Sequence, residues 1–219
     1  MSPSARADRA AAYENPRPEI QALVPAGAKR ILDLGCASGA LGAALRARGG
    51  VEVVGIERDP AYAADAAARL DRVLTEDLED FQDWDSLGAF DVVIAGDVLE
   101  HLSDPWAVLR RAAALLPPGG VAIISLPNVR YWETFWVLAR HNTWPRRAEG
   151  IFDATHLRWF TLRDAWSLLD QAGLETVEVH RQMRLRGRGT RWDGAIARLS
   201  RLPGRSFLTF QHVLVGRKR

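Results

Sequence analysis

The stretch ILDLGCASGALG, residues 31–42, constrains the fold of this chain more than any other part of the sequence. A short apolar segment runs into Gly35, and Gly39 and Gly42 follow as an alanine-rich segment of helical character begins. A strand that ends in a glycine-containing loop and continues as a helix is typical of the first unit of a nucleotide-binding α/β domain. The stretch therefore predicts a ligand site at the carboxyl end of this strand.

The rest of the chain alternates apolar segments of strand length with helical patterns, which predicts a doubly wound α/β fold. Because the strands are short and apolar, we expect a mostly parallel sheet buried on both faces; they cover 29–34, 51–56, 72–74, 90–95, 121–126, 174–180 and 207–216. Helices are predicted at 39–48, 60–70, 105–116 and 161–172. Thr161 and Asp164 form the capping box of the last helix, and Gly173 ends it. The final two strands are predicted to pair antiparallel at the sheet edge.

The composition fits one α/β domain, with 219 residues of which 47% are hydrophobic and a net charge of +2. Three segments are predicted to lie outside the core of this domain: 1–28 as an N-terminal cap, 129–160 as a helical lid insertion, and 181–206 as a basic insertion before the last strand. The single cysteine, Cys36, excludes an internal disulfide, and no apolar run approaches the roughly 20 residues of a membrane span. These features predict a cytoplasmic protein without a signal peptide.

The spacing of the glycines limits which nucleotide can bind. A dinucleotide-binding loop has the pattern G-x-G-x-x-G, because its second glycine lets the backbone approach a pyrophosphate. Here Gly35 is followed by Cys36, Ala37 and Ser38 before the next glycine, Gly39, so the spacing is G-x-x-x-G. No G-K-[ST] sequence marks a phosphate-binding P-loop. The loop therefore favours a ligand with adenosine but no phosphate, such as S-adenosylmethionine.

Acidic side chains follow three further predicted strands. Glu57 lies 22 residues after Gly35, where a carboxylate can accept hydrogen bonds from both ribose hydroxyls, and Asp77 follows the third strand. The alternative for both is a solvated surface acid. Asp97, Glu100 and His101 follow the fourth strand. Since ligands of open α/β sheets bind outside the carboxyl ends of the strands, these positions reinforce one another.

Four segments resemble the successive motifs of class I S-adenosylmethionine-dependent methyltransferases, over roughly residues 13–180: ILDLGCASGALG, VEVVGIERDP, DVLEHLSDPWAVLRRAAALLPPGG and SLPNVRYW. A fifth, GIFDATHLRWFTLRDAWSLLDQAGL, is similar to a bacterial subgroup often found near glycosyltransferases and polysaccharide or secondary-metabolite genes. The resemblance implies a Rossmann-like sheet of seven strands, mostly parallel with an antiparallel last strand. It also implies S-adenosylmethionine as cofactor and S-adenosylhomocysteine as product.

The same resemblance assigns the glycine loop to the cofactor. It implies that Gly35, Cys36, Ala37 and Gly39 lie against the methionine and ribose portions. Asp33 would orient the loop and the amino group. Ala37 departs from the family, which usually has glycine there, and is expected to narrow the loop slightly.

Residues outside the glycine loop complete the implied cofactor site. Glu57 would bind the ribose and Asp77 the adenine, with Arg58 lining the adenine side and Leu78 among the contacts. The remaining implied contacts lie near the methionine portion, and they are Tyr13, Arg17, Asp97 and Val98. Arg17, in the segment ENPRPEI, would pair with the methionine carboxylate.

Methyl transfer to a hydroxyl needs a group that promotes loss of the proton, whereas a neutral amine hardly needs one. His156 is the first candidate base, with Asp153 three residues earlier to orient it, and His101 is the second. His141 is a weaker one. The alternative is that Asp153, His156 and Arg158 form a structural network that holds the insertion to the sheet, while His101 packs at its rim.

Other features of the insertion leave the chemistry open. Its tryptophans form either an aromatic wall for a sugar or planar acceptor, or the packing of a lid; they are Trp132, Trp136, Trp144 and Trp159. No grouping of ligand residues has metal-ligand spacing along the chain, so no metal is expected. A serine hydrolase is disfavoured because no G-x-S-x-G sequence occurs.

Three functions fit this pattern. The first is methyl transfer to a small molecule, most simply to a hydroxyl of a saccharide or natural product. The second is methylation of RNA or protein, supported by the arginines of 181–205 but disfavoured because no N-P-P-Y motif and no RNA-binding module occurs. The third is a cofactor-binding partner subunit without catalysis, in which 184–205 docks to a glycosyltransferase or a membrane surface. A monomer and a homodimer are equally compatible with the sequence.

Overall fold

Seven strands form one mixed sheet in the computed structural model, which describes residues 13–184 and 204–219. The strands are β1 Arg30–Leu34, β2 Glu52–Ile56, β3 Arg72–Leu74, β4 Val92–Gly96, β5 Val121–Pro127, β6 Leu174–Met183 and β7 Thr209–Lys218. Their order in the sheet is β3-β2-β1-β4-β5-β7-β6. The first five strands are parallel, and β7 is antiparallel to both of its neighbours. The predicted fold class is therefore confirmed.

The helices lie between the strands. They are α1 Pro18–Gln21, α2 Ala40–Arg46, α3 Pro60–Ala67, α4 Pro105–Ala114, α5 Trp132–His141, α6 Leu162–Gln171 and α7 Arg205–Leu208, with 3₁₀ turns at Trp84–Leu87 and Leu99–His101. The capping box of α6 is confirmed, because Thr161 N–H donates to the Asp164 carboxylate at 2.8 Å and Asp164 N–H donates back to the Thr161 hydroxyl at 3.4 Å. Gly173, directly after this helix, has φ +75°.

The last two strands form the predicted antiparallel pair at the sheet edge. Within this pair, β7 lies between β5 and β6, so β6 is the edge strand. The burial of the side chains of β6 and β7 explains this order. Val213, Leu214 and Val215 are all buried, as an interior strand requires, whereas β6 alternates exposed and partly buried residues.

The core has two layers, one on each face of the sheet. Leu32 and Leu34 point into a cluster that includes α4 and α6, while Ile31, directly before Leu32, points into the opposite cluster with α2. This alternation follows from the two-residue period of a strand. The sheet is thus held on both faces, and the loops at its carboxyl end start from fixed positions.

The segment 129–160, predicted as a helical insertion, contains the helix α5, whose bounds the sequence did not predict. It is tied to the loop after β4, because the amides of Leu157 and Arg158 both donate to the Glu100 carbonyl, at 2.9 and 3.0 Å. The predicted cap lies partly, and the basic insertion mostly, outside the described residues. No helix within the described ranges is long and apolar enough to cross a bilayer.

Candidate cofactor and acceptor site

The loop between β1 and α2 depends on residues with positive φ. Gly35, Ala37 and Gly39 have φ of +64°, +47° and +78°. A Cβ added to Gly35 would lie 2.7 Å from Cγ2 of Val98, so the loop backbone packs directly against the loop after β4. Ala37 was expected only to narrow the loop, but its positive φ is a conformation that favours glycine, so its backbone is also strained. The loop therefore presents backbone, rather than side chains, to a ligand.

Glu57 fixes this loop. Its carboxylate accepts from the backbone amide of Ala37 at 3.0 Å and from that of Asp59 at 2.8 Å. Burial raises the pKa of Glu57, although these two amides act in the opposite direction. A carboxylate oxygen can accept more than one hydrogen bond, so Glu57 keeps acceptor capacity for a ligand hydroxyl. Its predicted ribose contact fits this geometry.

Asp33 is a buried carboxyl in β1, with 3% of the residue exposed. Burial raises the pKa of Asp33 from 3.8 to about 7, and the negative charge of Glu57 adds to this effect. The charged form of Asp33 is therefore costly without a cation beside it. An amino group such as that of the predicted cofactor would supply the missing positive charge.

Arg17 and Asp97 form the centre of a polar network. Arg17 Nη1 donates to Asp97 Oδ2 at 2.6 Å, and Nη2 donates to the Ser125 hydroxyl at 3.0 Å. Gln211 Nε2 donates to both Asp97 and Ser125. Burial lowers the pKa of Arg17, but the carboxylates of Asp97 and Glu19 outweigh it and raise the pKa overall. The predicted site residues include neither Ser125, which begins the segment SLPNVRYW, nor Gln211, which belongs to no recognised motif.

This network bears on the role predicted for Arg17. Its guanidinium also donates to Glu19 at 2.6 Å, so two carboxylates already satisfy much of its hydrogen-bonding capacity. A ligand carboxylate at Arg17 would compete with Asp97. The pairing of Arg17 with the methionine carboxylate stays a prediction.

The other predicted cofactor residues divide into two groups. Tyr13 lies near the glycine loop, since its carbonyl accepts a hydrogen bond from the Ser38 hydroxyl at 2.8 Å. Arg58, which follows β2, has its Nη1 3.8 Å from Oδ2 of Asp77, which follows β3. Cys36 and Leu78 instead belong to the two hydrophobic clusters. Burial raises the pKa of the Cys36 thiol. For Cys36, therefore, the backbone is the part available to a ligand.

A cavity of about 660 Å³ opens beside the strand ends. Residues from several separate parts of the chain line it, among them Arg17, Asp97, Glu100, His101, Asp153, His156, Phe210 and Gln211. The structure thus brings the three predicted catalytic residues to one wall. The four tryptophans are elsewhere among the described residues: Trp132 and Trp136 line a second cavity, and Trp144 packs on Trp159.

The histidines of this wall contact each other. The rings of His101 and His156 meet edge to face with centroids 4.7 Å apart. Burial lowers the pKa of His101, and the neighbouring His156 lowers it further. Asp153 accepts from the Thr155 hydroxyl at 2.6 Å, and the same hydroxyl oxygen lies 3.0 Å from His101 Nδ1. Arg158 donates to the Ser103 carbonyl and so holds the insertion to the loop after β4, as the structural alternative expected.

Glu100 lies on the same wall of the cavity, but it is not among the predicted catalytic residues. It is 1% exposed, and neither carboxylate oxygen has a hydrogen-bond partner among the residues that the structure describes. Burial raises the pKa of Glu100 well above its usual range, and the charge of Asp97 acts in the same direction. Its Oε1 lies 3.9 Å from His156 Nε2. The fold thereby places a carboxylate and two imidazoles together, contrary to the expectation that no metal-ligand grouping exists.

Comparison with known proteins decides the family. The model of the family described as "Methyltransferase domain" matches residues 6–179. This chain belongs to that family. It is an S-adenosylmethionine-dependent methyltransferase domain, and the residues fit this cofactor: a glycine loop that a Cβ at Gly35 would obstruct, and the Asp33 and Glu57 carboxylates beside it.

Several curated methyltransferases are similar in sequence. A ubiquinone biosynthesis O-methyltransferase of Bradyrhizobium diazoefficiens is 35% identical over 121 residues, covering 53% of this chain and 46% of that protein. A trans-aconitate 2-methyltransferase of Methylobacterium radiotolerans is 39% identical over 115 residues, covering 52% and 44%. The chain spans about half the length of these curated relatives.

Solved structures share the fold. A methyltransferase of Thermotoga maritima, described as a possible histamine N-methyltransferase, superposes with a TM-score of 0.65 at 19% identity, covering 98% of this chain and 92% of that one. The magnesium protoporphyrin IX methyltransferase of Synechocystis, with S-adenosylhomocysteine bound, gives a TM-score of 0.64 at 17% identity, covering 96% and 85%. At these identities the likeness establishes the fold.

Proposed function

We propose that this domain transfers a methyl group from S-adenosylmethionine to a hydroxyl of a small molecule. The observation that carries the proposal is the pair of contacting imidazoles, His101 and His156, on the wall of a cavity that Asp97 also lines at the carboxyl end of β4. S-adenosylmethionine supplies the reactive methyl group. The protein has to orient the acceptor and promote loss of the hydroxyl proton as the new oxygen–carbon bond forms.

The chemistry of the cavity supports a polyhydroxylated acceptor such as a saccharide or natural product. Its lining combines carboxylates, arginines and the amides of Gln182 and Gln211 with Phe210. Carboxylates and amides hydrogen-bond to sugar hydroxyls, and an aromatic ring packs against the apolar face of a sugar. The printed names of two relatives, an O-methyltransferase and a methyltransferase of trans-aconitate, support a small acceptor. The resemblance of 150–174 to a subgroup near glycosyltransferases favours the saccharide.

His156 and His101, with Asp153 joined to His101 through the Thr155 hydroxyl, are the groups we assign to proton removal. The cofactor contacts remain as predicted above, with Glu57 and Asp33 as the two that the geometry supports most. The single-domain division, the cytoplasmic location and the choice between monomer and homodimer stay predictions. The proposed docking role of 184–205 falls almost entirely outside the described residues.

Replacement of His156 by alanine is expected to lower turnover by about 100-fold or more while leaving cofactor affinity unchanged, because this side chain acts on the acceptor. The measurement is methyl transfer to a panel of sugars and glycosides, with calorimetry for the cofactor. His180→Ala is the matched control, since this exposed histidine pairs with Glu178 on β6. An unchanged rate in His156→Ala would contradict the assignment.

A further inference from the structure

We propose that Glu100, His101 and His156 bind a divalent transition-metal cation on the wall of the acceptor cavity. One ligand-type atom from each residue lies within 4.8 Å of the other two. Metal–ligand bonds of about 2.1 Å place neighbouring ligand atoms roughly 3 to 4 Å apart, so small side-chain adjustments are sufficient. The contact of 3.9 Å between Glu100 Oε1 and His156 Nε2 is already in this range.

Glu100 is the observation that points to a cation. A buried carboxylate without any hydrogen bond is costly, and proteins normally pair such a group or let it coordinate a metal. Within 13–184 and 204–219, both oxygens of Glu100 lack a hydrogen-bond partner although the side chain is 1% exposed. Asp97 and Asp153 add negative charge around it. A bound cation would satisfy Glu100 and offset this local charge.

The two histidines are oriented by their other ring nitrogens. His101 Nδ1 lies 3.2 Å from the Thr155 carbonyl, and His156 Nδ1 lies 3.3 Å from the Ile151 carbonyl. A carbonyl oxygen can only accept, so each Nδ1 carries the proton and each Nε2 carries the lone pair. Metal-binding histidines are commonly held in this way, with the outer nitrogen donating to a backbone carbonyl.

The ligand types indicate the class of metal. Two imidazoles and one carboxylate suit Zn²⁺, Co²⁺, Ni²⁺, Fe²⁺ or Mn²⁺, whereas Mg²⁺ prefers oxygen ligands and retains water. Three protein ligands leave coordination positions open toward the cavity. The cation would lower the pKa of a hydroxyl that binds it, so the two histidines would promote the loss of the proton as ligands of the cation and not as bases. This role rests on the proposed function, but binding of the cation does not.

The test is Co²⁺ binding to the full chain, purified without a histidine tag and freed of metals by a chelator. We expect one Co²⁺ per chain by calorimetry, with visible absorption bands of a nitrogen-ligated ion, and a rise in melting temperature. Glu100→Gln should weaken Co²⁺ binding roughly tenfold or more, and the double variant His101→Ala/His156→Ala should abolish the absorption bands. Without metal, Glu100→Gln should be at least as stable as the wild type, because it removes an unpaired buried carboxylate.

The control is Glu178→Gln/His180→Ala, which alters a carboxylate–histidine pair of 2.9 Å at the surface of β6 and should leave Co²⁺ binding unchanged. The inference is wrong if the wild type binds no more Co²⁺ than His101→Ala/His156→Ala, or if it binds Mg²⁺ in preference to Co²⁺. Because binding is measured without an acceptor, failure of the metal site and failure to methylate any hydroxyl are distinct results.

Discussion

Replacement of Gly35 by alanine is expected to abolish cofactor binding and to lower the free energy of unfolding by about 2 to 4 kcal/mol. Two effects combine. The backbone at Gly35 has φ +64°, which an alanine adopts only with strain, and the new Cβ would lie 2.7 Å from Val98 Cγ2. Because Val98 belongs to the loop after β4, relieving the contact would move two walls of the site apart.

The matched control is Gly27→Ala, since a Cβ there meets nothing within 4 Å. Calorimetric titration with S-adenosylhomocysteine and urea unfolding measure the two effects. The double variant Gly35→Ala/Val98→Ala should recover part of the lost stability, because it removes the steric contact and leaves the strain of positive φ. Cofactor affinity of Gly35→Ala within about twofold of wild type would contradict the proposed role of the loop.

Replacement of Asp33 by asparagine is expected to stabilise the cofactor-free protein at pH 8 by up to about 4 kcal/mol and to weaken S-adenosylmethionine binding. The pKa of Asp33 in the folded protein is raised from 3.8 to about 7 by burial. The stability that protonated Asp33 contributes is therefore fully present below about pH 4 and is lost as the pH rises through about 7. Asparagine imitates the protonated form at every pH.

Urea unfolding of wild type and Asp33→Asn between pH 4 and 8 measures this effect. The difference in unfolding free energy should be small at pH 4 and should grow in favour of Asp33→Asn as the pH rises. Cofactor binding by the wild type should release protons near neutral pH, because the cationic amino group lowers the pKa of Asp33. A pH-independent difference would show that Asp33 keeps an ordinary pKa.

The cofactor half of the molecule could be predicted from sequence because its signals are local. The positive φ of Gly35 and Gly39, the position of Glu57 after β2 and the capping box of α6 each depend on residues close together in the chain. Periodicity also predicted all seven strands, since each is defined by its own apolar run. The antiparallel pair of β6 and β7 at the sheet edge is also as predicted, but pairing alone does not specify which of the two is the edge strand.

The acceptor half could not be predicted in the same way. The helix α5 lacks a start signal, because no side chain caps it at Tyr131, and its exposed Phe135 and Trp136 obscure the amphipathic pattern. Glu100 and His156 are 56 residues apart and meet only when the insertion folds against the loop after β4. Spacing along the chain therefore indicated no metal-ligand group, although the fold brings Glu100, His101 and His156 together.

We propose that the loop after β1 and Glu57 form the S-adenosylmethionine site. The direct test is calorimetric binding of S-adenosylmethionine and S-adenosylhomocysteine to wild type, Glu57→Ala and the surface control Glu175→Ala. We expect binding by the wild type and the control, and a loss of about tenfold or more, roughly 1.4 kcal/mol, in Glu57→Ala. Equal affinity in all three proteins, or no binding by the wild type, would contradict the account.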